Sequence, residues 1–82
     1  MSGTLKWQDG GESIIFFDRI PTGPYKFHCQ AHSGDRTYSI RHESDGWLVM
    51  QSVRGNGGPR ETCETLEAAK EQAEQWEARG IA

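Results

Sequence analysis

The chain of 82 residues has no long hydrophobic run, few prolines and only two cysteines. Its longest apolar stretch is residues 14–17, far short of the roughly 20 residues that a membrane-spanning helix needs. Cys29 and Cys63 are too few for a disulfide scaffold, and the N-terminus lacks the basic and apolar regions of a secretory signal. These absences predict a cytoplasmic protein with reduced thiols and no membrane span.

Basic charge is also scarce, and it is unevenly placed. Lys and Arg number 9 and Asp and Glu number 12, which gives a net charge of −3. Residues 61–82 carry six Glu against Lys70 and Arg79, so the C-terminal segment is acidic while the rest is nearly neutral. Without a basic excess, the chain lacks the charge pattern typical of nucleic-acid-binding proteins.

The sequence contains no catalytic motif. His28, Cys29 and His32 have a spacing that zinc sites use, but neighbouring strand residues point to opposite faces and cannot bind one metal ion together. The glycine-rich residues 55–60 lack the Lys-Ser/Thr pair of a phosphate-binding loop. Cys63 has acidic neighbours, which oppose activation of its thiol. We therefore expect neither an enzyme nor a metal site nor a cofactor.

Turn signals rich in glycine, proline and aspartate divide the first sixty residues. The segments between them are short, and several alternate apolar with polar residues, as half-buried strands do. They predict strands at about residues 4–8, 13–20, 25–32, 36–44 and 47–54. The whole chain, residues 1–82, is predicted to form a single domain.

The last third of the chain predicts one amphipathic helix, at about residues 63–79. Thr62 or Thr65 is a suitable N-cap, and Gly80 stands where a helix-ending glycine is expected. The apolar stripe of this helix consists of Leu66, Ala69, Ala73 and Trp76. The sequence therefore predicts an α+β fold, an antiparallel four- to five-stranded meander with one C-terminal α-helix packed on one face.

Short loops at the turn signals predict the register of the strands. Representative predicted pairs are Ser44 with Trp47, Cys29 with Ile40, Phe16 with Cys29, and Ile20 with Tyr25. All the choices place the same apolar residues under the helix, namely Ile14, Phe16, Phe27, Cys29, Tyr38, Ile40, Trp47, Val49 and Val53. The agreement supports a single register for the whole sheet.

The opposite face of the predicted sheet is the candidate binding surface, because it mixes large apolar with basic side chains. The residues predicted to contact a partner are Ile15, Phe17, Lys26, His28, Arg41, Leu48 and Met50. Three coverings are alternatives at this point. They are the N-terminal segment with Leu5 and Trp7, a second copy of the chain in a homodimer, or another macromolecule.

The C-terminal part of the chain resembles the ending of many small phage and prophage proteins. Residues 45–49 read Asp-Gly-Trp-Leu-Val, and after a glycine-rich loop residues 65–70 read Thr-Leu-Glu-Ala-Ala-Lys, followed by Trp76. In those proteins a G-W-x-V hairpin precedes a T-L-E-E-A-K-type helix, and Ala68 stands here in place of the more usual acid. The resemblance implies a sheet-plus-helix fold without catalytic residues. Small mobile-element proteins of this build include inhibitors of bacterial defence complexes, such as anti-CRISPR proteins.

These observations predict a small non-enzymatic binding protein in the cytoplasm of a bacterial host cell. Its expected partner is a protein or ribonucleoprotein complex, on which it docks and which it inhibits if that complex targets nucleic acid. The alternative is single-stranded nucleic-acid binding through the same face, by base stacking and phosphate contacts. A further alternative is that the helix presents a row of carboxylates to a basic groove, namely Glu67, Glu71, Glu74 and Glu77.

Overall fold

The computed structural model describes residues 5–79. The elements are β1 Gln8–Asp9, β2 Glu12–Phe17, β3 Ile20–Lys26, β4 Cys29–Ser33, β5 Arg36–Glu43, β6 Gly46–Val53, β7 Asn56–Cys63 and α1 Leu66–Arg79. The seven strands form one curled, mixed sheet, so the predicted α+β class with a C-terminal helix is confirmed. The predicted number of strands is too low, and the sheet is not wholly antiparallel.

The strands follow the order β1-β4-β5-β6-β7-β2-β3 across the sheet. Strands β4 to β7 form an antiparallel meander, while β2 joins β7 in parallel, with Phe16 beside Asn56. The strand β3 follows β2 in an antiparallel hairpin at the edge. The prediction that β2 extends the meander by pairing Phe16 with Cys29 is therefore wrong.

The registers within the meander are partly as predicted. Cys29 pairs with Ile40, which confirms the register between β4 and β5. Between β5 and β6 the register is shifted, since His42 rather than Ser44 pairs with Trp47. Because the shift is by two residues, it leaves every side chain on its predicted face.

Gly46 explains this shift. It is the first residue of β6, and the two-residue loop consists of residues 44–45 instead. Its φ is +141°, and a Cβ at this position would collide with the carbonyl oxygen of Cys63 in β7. The glycine therefore allows the close approach of β7 and is not required by the turn.

The turn between β2 and β3 lies at Asp18 and Arg19, before the proline-containing segment where it is predicted. Asp18 has φ +51° and Arg19 has φ +68°, the left-handed pair of a type I′ turn. Pro21 and Pro24 lie within β3, because an edge strand tolerates their missing N–H groups. The register slips near Gly23, whose φ is +107°, so β3 carries a bulge there.

The glycine-rich segment before the helix belongs to strand β7, although it lies outside the strands and the helix that the sequence predicts. A Cβ at Gly57 would collide with the ring of Phe17, and one at Gly58 would lie 2.9 Å from the carbonyl oxygen of Gln51. These glycines therefore allow an aromatic ring of β2 and the backbone of β6 to approach β7 closely. Their function is packing rather than flexibility.

The helix begins at Leu66, later than predicted, because β7 extends into the predicted helix start. Thr65 is its N-cap, since its Oγ1 accepts a hydrogen bond of 3.0 Å from the backbone N–H of Ala68. The predicted cap at Gly80 lies outside the described residues. Of the predicted first strand only the short β1 is observed, and residue 4 also lies outside the described residues.

One face of the sheet packs against the helix, as predicted. The buried cluster there consists of Cys29, Tyr38, Ile40, Val49, Ala69, Ala73 and Trp76. Its two alanines have no exposed surface, so small side chains bring the helix close to the sheet. Leu5 and Trp7 also pack here, so the alternative in which they cover the opposite face is wrong. Ile14 and Phe16 are wrongly predicted under the helix, because β2 lies beyond β7 and leaves them 53% and 39% exposed.

The face of the sheet away from the helix is covered by the β2–β3 hairpin, which the sequence does not predict. Gln30 of β4 donates hydrogen bonds from its Nε2 to Ser39 Oγ in β5 (2.9 Å) and to Ser13 Oγ in β2 (3.1 Å). Ile15 of β2 is 2% exposed and Met50 of β6 is 5% exposed. The curled sheet thus encloses a second, smaller and more polar core beneath its own hairpin.

Candidate interaction surface

The residues predicted to contact a partner do not form one open face. Ile15 and Met50 are buried, so these two predicted contact residues are not accessible to a partner. Their apolar side chains help to hold the hairpin on the sheet. Phe17 is half-buried, with its ring over Gly57 of β7. The register predicted from the sequence correctly turns Ile15, Phe17 and Met50 away from the helix. It does not reveal that these side chains lie between the hairpin and the rest of the sheet.

Arg41 and Leu48 remain together, because they pair across β5 and β6, and both are half-buried. The Arg41 guanidinium lies 5.5 Å from the centroid of the Tyr25 ring in β3. Its Nε also donates a hydrogen bond of 3.0 Å to a carboxylate oxygen of Glu43. These two contacts fix the guanidinium and neutralise its charge within the chain.

His28 lies apart from the other predicted contact residues. Its ring meets Trp47 edge-on, with 5.0 Å between centroids, while His42 stacks on the same indole at 4.3 Å. Trp47 packs beside the helix-covered core, so the prediction that His28 shares a face with the arginine of β5 is wrong. The reason is that β3 ends at Lys26 and the next residues belong to no strand. The alternation of side chains between the two faces therefore does not continue from β3 to His28.

The exposed large hydrophobic residues of the described part of the chain all lie in the β2–β3 hairpin: Ile14, Phe16 and, at 62% exposure, Ile20. Exposed and covered residues alternate along β2, so its exposed side chains share the side that is turned away from the sheet. Pro21 and Lys26 of β3 pair with residues of that side. We call the set Glu12, Ile14, Phe16, Pro21 and Lys26 the hairpin outer face.

The hairpin outer face carries balanced charge. Glu12 pairs with Lys26 at one end of the hairpin, and the turn at the other end consists of Asp18 and Arg19. All four side chains are exposed. At both ends the acid belongs to the β2 side and the base to the β3 side, and the residues between them are apolar.

The strand β3 forms an edge of the sheet, but it is a poor template for a further strand. Pro21 and Pro24 have no N–H to donate to a neighbouring strand. At the other edge, β1 is only two residues long. A partner of this hairpin would therefore contact the side chains of the outer face and would not extend the sheet.

The sequence does not reveal the hairpin outer face, because residues 14–17 are consecutively apolar and show no alternation. In such a run, either the even-numbered or the odd-numbered residues could form the buried face. The two prolines spaced around Gly23 were the available signal, since prolines within a strand mark it as an edge strand. Placing β3 at an edge would have moved β2 out of the meander.

Glu77 on the helix is the centre of a hydrogen-bond network. It accepts hydrogen bonds from Ser33 Oγ (2.5 Å) and Tyr38 Oη (2.7 Å), and it forms an ion pair with Arg36 at 3.3 Å. The hydrogen bonds from Ser33 and Tyr38, followed by the contacts with Arg36, lower the pKa of Glu77. Burial raises the pKa of the Tyr38 hydroxyl. This carboxylate ties the end of the helix to β4 and β5.

The predicted row of carboxylates on the helix therefore consists of two groups, one bonded within the chain and one exposed to solvent. Glu77 is engaged as described, and Glu74 accepts a hydrogen bond of 3.0 Å from the backbone N–H of Leu5. Glu67 and Glu71 are exposed. The part of the row that faces solvent is thus limited to the first half of the helix, which weakens the alternative of an acidic docking strip.

The two cysteines lie on strands β4 and β7, with β5 and β6 between them, which is too far apart for a disulfide. Burial raises the pKa of the Cys29 thiol. Burial and, secondarily, Glu61 raise the pKa of the Cys63 thiol, so the surroundings of both cysteines disfavour the thiolate. Within residues 5–79, no three His, Cys, Asp or Glu side chains are grouped so that they could hold a metal ion.

No helix in residues 5–79 has the length and apolar character needed to cross a membrane. Comparison with protein-family models, with curated proteins and with solved structures found no match for this chain.

Proposed function

We propose that this protein is a small non-enzymatic binding protein that docks on a partner protein through the hairpin outer face. The observation that carries the proposal is that two large hydrophobic side chains, Ile14 and Phe16, are exposed on this face, while a third, Ile20, is exposed beside the turn. Contiguous exposed apolar surface commonly marks interaction sites. The fold does not need these side chains, because the hairpin is held on the sheet by its other side.

The charge distribution favours a protein over a nucleic acid as the partner. The hairpin outer face is balanced in charge, whereas nucleic-acid-binding surfaces carry a basic excess. Arg41, a predicted phosphate contact, already bonds to Glu43. Among the predicted contact residues, Lys26 is the exposed basic group that remains on the outer face, and Glu12 lies opposite it. A partner with an apolar surface fits this chemistry better than a polyanion.

The resemblance to small phage and prophage proteins directs the choice of partner. We propose a complex of a bacterial host, in the cytoplasm, that handles nucleic acid and is inhibited when the hairpin occupies part of its surface. Inhibition of this kind needs no catalytic group, since a bound protein blocks access by its bulk alone. A protein that inhibits in this way needs only side chains that contact its partner.

A capture experiment tests the proposal. The wild-type chain, Ile14→Lys and the control Gln75→Lys are immobilised and exposed to the same host lysate. Both variants add one positive charge at an exposed position, but Gln75 lies on the helix. We expect a protein that is captured by the wild type and by Gln75→Lys and is lost from Ile14→Lys. Equal capture by all three chains would exclude the hairpin outer face.

An oligonucleotide titration tests the alternative function. Labelled single- and double-stranded oligonucleotides are mixed with the protein at low and at physiological salt. Binding to nucleic acid would be strong at low salt and would fall steeply as salt is added, because counterions are released from the phosphates. We expect no binding at either salt concentration. Steep salt-dependent binding would contradict the proposed protein partner.

A further inference from the structure

We infer that a second copy of this chain packs on the hairpin outer face in a two-fold symmetric dimer, with β2 of each copy lying on β3 of the other. The inference rests on the proposed function only in taking the outer face as a binding surface. In a two-fold dimer the same patch faces itself, so the patch must be complementary to its own rotated copy. The hairpin outer face meets this requirement.

The register of the hairpin determines which residues would meet. A two-fold axis that runs along the strands, in the plane of contact, exchanges the positions of β2 and β3 without changing the height of any residue. Residues that pair within the hairpin would therefore face each other between the two copies. Glu12 would face the partner's Lys26, and Phe16 would face the partner's Pro21, since these are the pairs within one hairpin.

The charges of the hairpin suit this arrangement at both ends. Each end carries its acid on the β2 side and its base on the β3 side. The rotation that brings Glu12 to the partner's Lys26 also brings Asp18 to the partner's Arg19. The two ends supply opposite-charge contacts, and the apolar residues between them contact each other.

A two-fold axis that runs across the strands gives the opposite result. It would place β2 on the partner's β2 in the reverse direction, so Glu12 would approach the partner's Asp18. Lys26 would likewise approach the partner's Arg19. Like charges would then face each other at both ends, which disfavours this arrangement. The charge pattern therefore selects one of the two simple face-to-face dimers.

The size of the hairpin predicts a weak dimer. Its outer face, with β2 six residues long, measures roughly 20 Å by about 10 Å, well below the surface of about 800 Å² per partner in a standard interface. Pro21 and Pro24 also prevent the copies from joining edge to edge as a continuous sheet. Dissociation is therefore expected at low concentration, which would free the same face for another protein.

Charge reversal at two exposed positions tests the inference. Glu12→Lys gives a hairpin end with two bases, and Lys26→Glu gives one with two acids. The double variant Glu12→Lys/Lys26→Glu exchanges the charges and preserves their complementarity. Each protein, and an equimolar mixture of the two single variants, is studied by sedimentation equilibrium from roughly 10 µM to roughly 1 mM, the range expected for a small interface. Circular dichroism verifies that each variant is folded.

We expect the mass of the wild type to rise from 9.2 kDa toward twice that value with concentration. Each single variant should dimerise at least about tenfold more weakly, because like charges face each other at two symmetric contacts. The equimolar mixture and the double variant should regain dimerisation. A wild type that remains monomeric, single variants that dimerise unchanged, or a mixture that stays monomeric would each overturn the inference.

These outcomes are separate from those of the capture experiment. Loss of a partner from Ile14→Lys, combined with a monomeric wild type, would keep the proposed function and reject the dimer. Dimerisation that follows the charge pattern, combined with unchanged capture by Ile14→Lys, would keep the dimer and reject the hairpin as the docking site for another protein.

Discussion

The helix and the hairpin, which cover opposite faces of the sheet, enclose cores of different polarity. Beneath the helix, Tyr38, Ile40 and Val49 have no exposed surface and pack against the two alanines of the helix. Beneath the hairpin, Ile15 and the Met50 side chain share the space with buried serine and glutamine residues. The hairpin also carries two large apolar side chains, Ile14 and Phe16, on its exposed side. The difference indicates that the helix side contributes more to the stability of the fold, whereas the hairpin leaves apolar surface exposed to solvent.

The polar contacts that hold the helix on the sheet also differ from those that hold the hairpin. The helix is tied to the sheet by the carboxylate of Glu77, which receives two hydrogen bonds and one ion pair. The hairpin is tied by the side-chain amide of Gln30, a neutral donor to two serine hydroxyls. Hydrogen bonds to charged groups are generally the stronger kind. We therefore expect mutations to cost more on the helix side.

Three isoleucines test this comparison with the largest expected effect. Ile40→Ala removes a fully buried side chain beneath the helix and should lower the free energy of unfolding by about 3 kcal/mol, because it leaves a cavity. Ile15→Ala, beneath the hairpin, should cost less. Ile14→Ala, on the outer face, should change stability by less than about 0.5 kcal/mol. Urea unfolding measures all three, and a larger loss for Ile15→Ala than for Ile40→Ala would reverse the comparison.

If Ile40→Ala does not fold, the milder variant Ile40→Val keeps the comparison measurable. Removal of one methylene from this site should cost about 1 kcal/mol. Ile14→Val is the matched control, and it should leave the unfolding midpoint unchanged because half of the side chain is already in solvent.

Removal of the Glu77 carboxylate should have the next largest effect. Glu77→Ala takes the acceptor from the buried Tyr38 hydroxyl and should lower the free energy of unfolding by about 1 to 3 kcal/mol. Glu71→Ala, at an exposed position of the same helix, is the control and should be nearly neutral. Equal effects of the two substitutions, measured by urea unfolding, would mean that the network does not secure the helix.

The pH dependence of stability provides a second test of the Glu77 network. The pKa of Glu77 is lowered below its ordinary value of 4.5 in the folded chain. The carboxylate therefore stabilises the fold above its unfolded pKa, and this contribution is lost as the pH falls through the folded pKa. Thermal unfolding between pH 7 and pH 3 should show a steeper acid loss for the wild type than for Glu77→Gln. Parallel curves would contradict the assigned contacts.

A substitution in β7 tests the contact between the Phe17 ring of the hairpin and Gly57. A Cβ at Gly57 would collide with the Phe17 ring, so Gly57→Ala should cost about 1 to 2 kcal/mol as the ring is displaced. Phe17→Ala removes the obstacle, and the double variant should therefore lose less than the sum of the two single losses. Additive losses in urea unfolding would show that the ring does not lie on Gly57.

The smallest expected effect is a gain in stability at the hairpin turn. Arg19 has φ +68°, a conformation that glycine adopts without steric cost, so Arg19→Gly should stabilise the protein by about 0.5 to 1 kcal/mol. Arg60→Gly is the control, because it places a glycine within strand β7 and should destabilise the protein. A destabilised Arg19→Gly variant would indicate that the arginine side chain makes contacts that stabilise the turn.

The sequence predicted the central part of the fold well. Strand alternation and short loops placed Cys29 opposite Ile40, and the helical stripe placed the two alanines against the sheet. Both patterns depend on one buried face, and the helix supplies that face. Where a single face is buried, the periodicity of apolar residues carries the information needed to place an element.

The hairpin could not be predicted for a related reason. The alternation is lost at residues 14–17 because the exposed side of β2 also carries apolar residues, Ile14 and Phe16, next to the buried Ile15. The glycines of β7 were similarly ambiguous. Glycine is found both in flexible segments and at close approaches, and only the position of the Phe17 ring distinguishes the two at Gly57. The two contact residues that the sequence predicted on β2, Ile15 and Phe17, therefore both lie on its covered side.

One measurement tests the central claim that the hairpin outer face is a binding surface. Amide chemical shifts of the isotope-labelled protein are recorded while the captured partner is added or, without one, while the protein itself is concentrated. We predict shifts at Ile14 and Phe16, and unchanged positions for the exposed helix residues Glu67 and Glu71. Shifts confined to the helix, with the hairpin amides unmoved, would contradict the account.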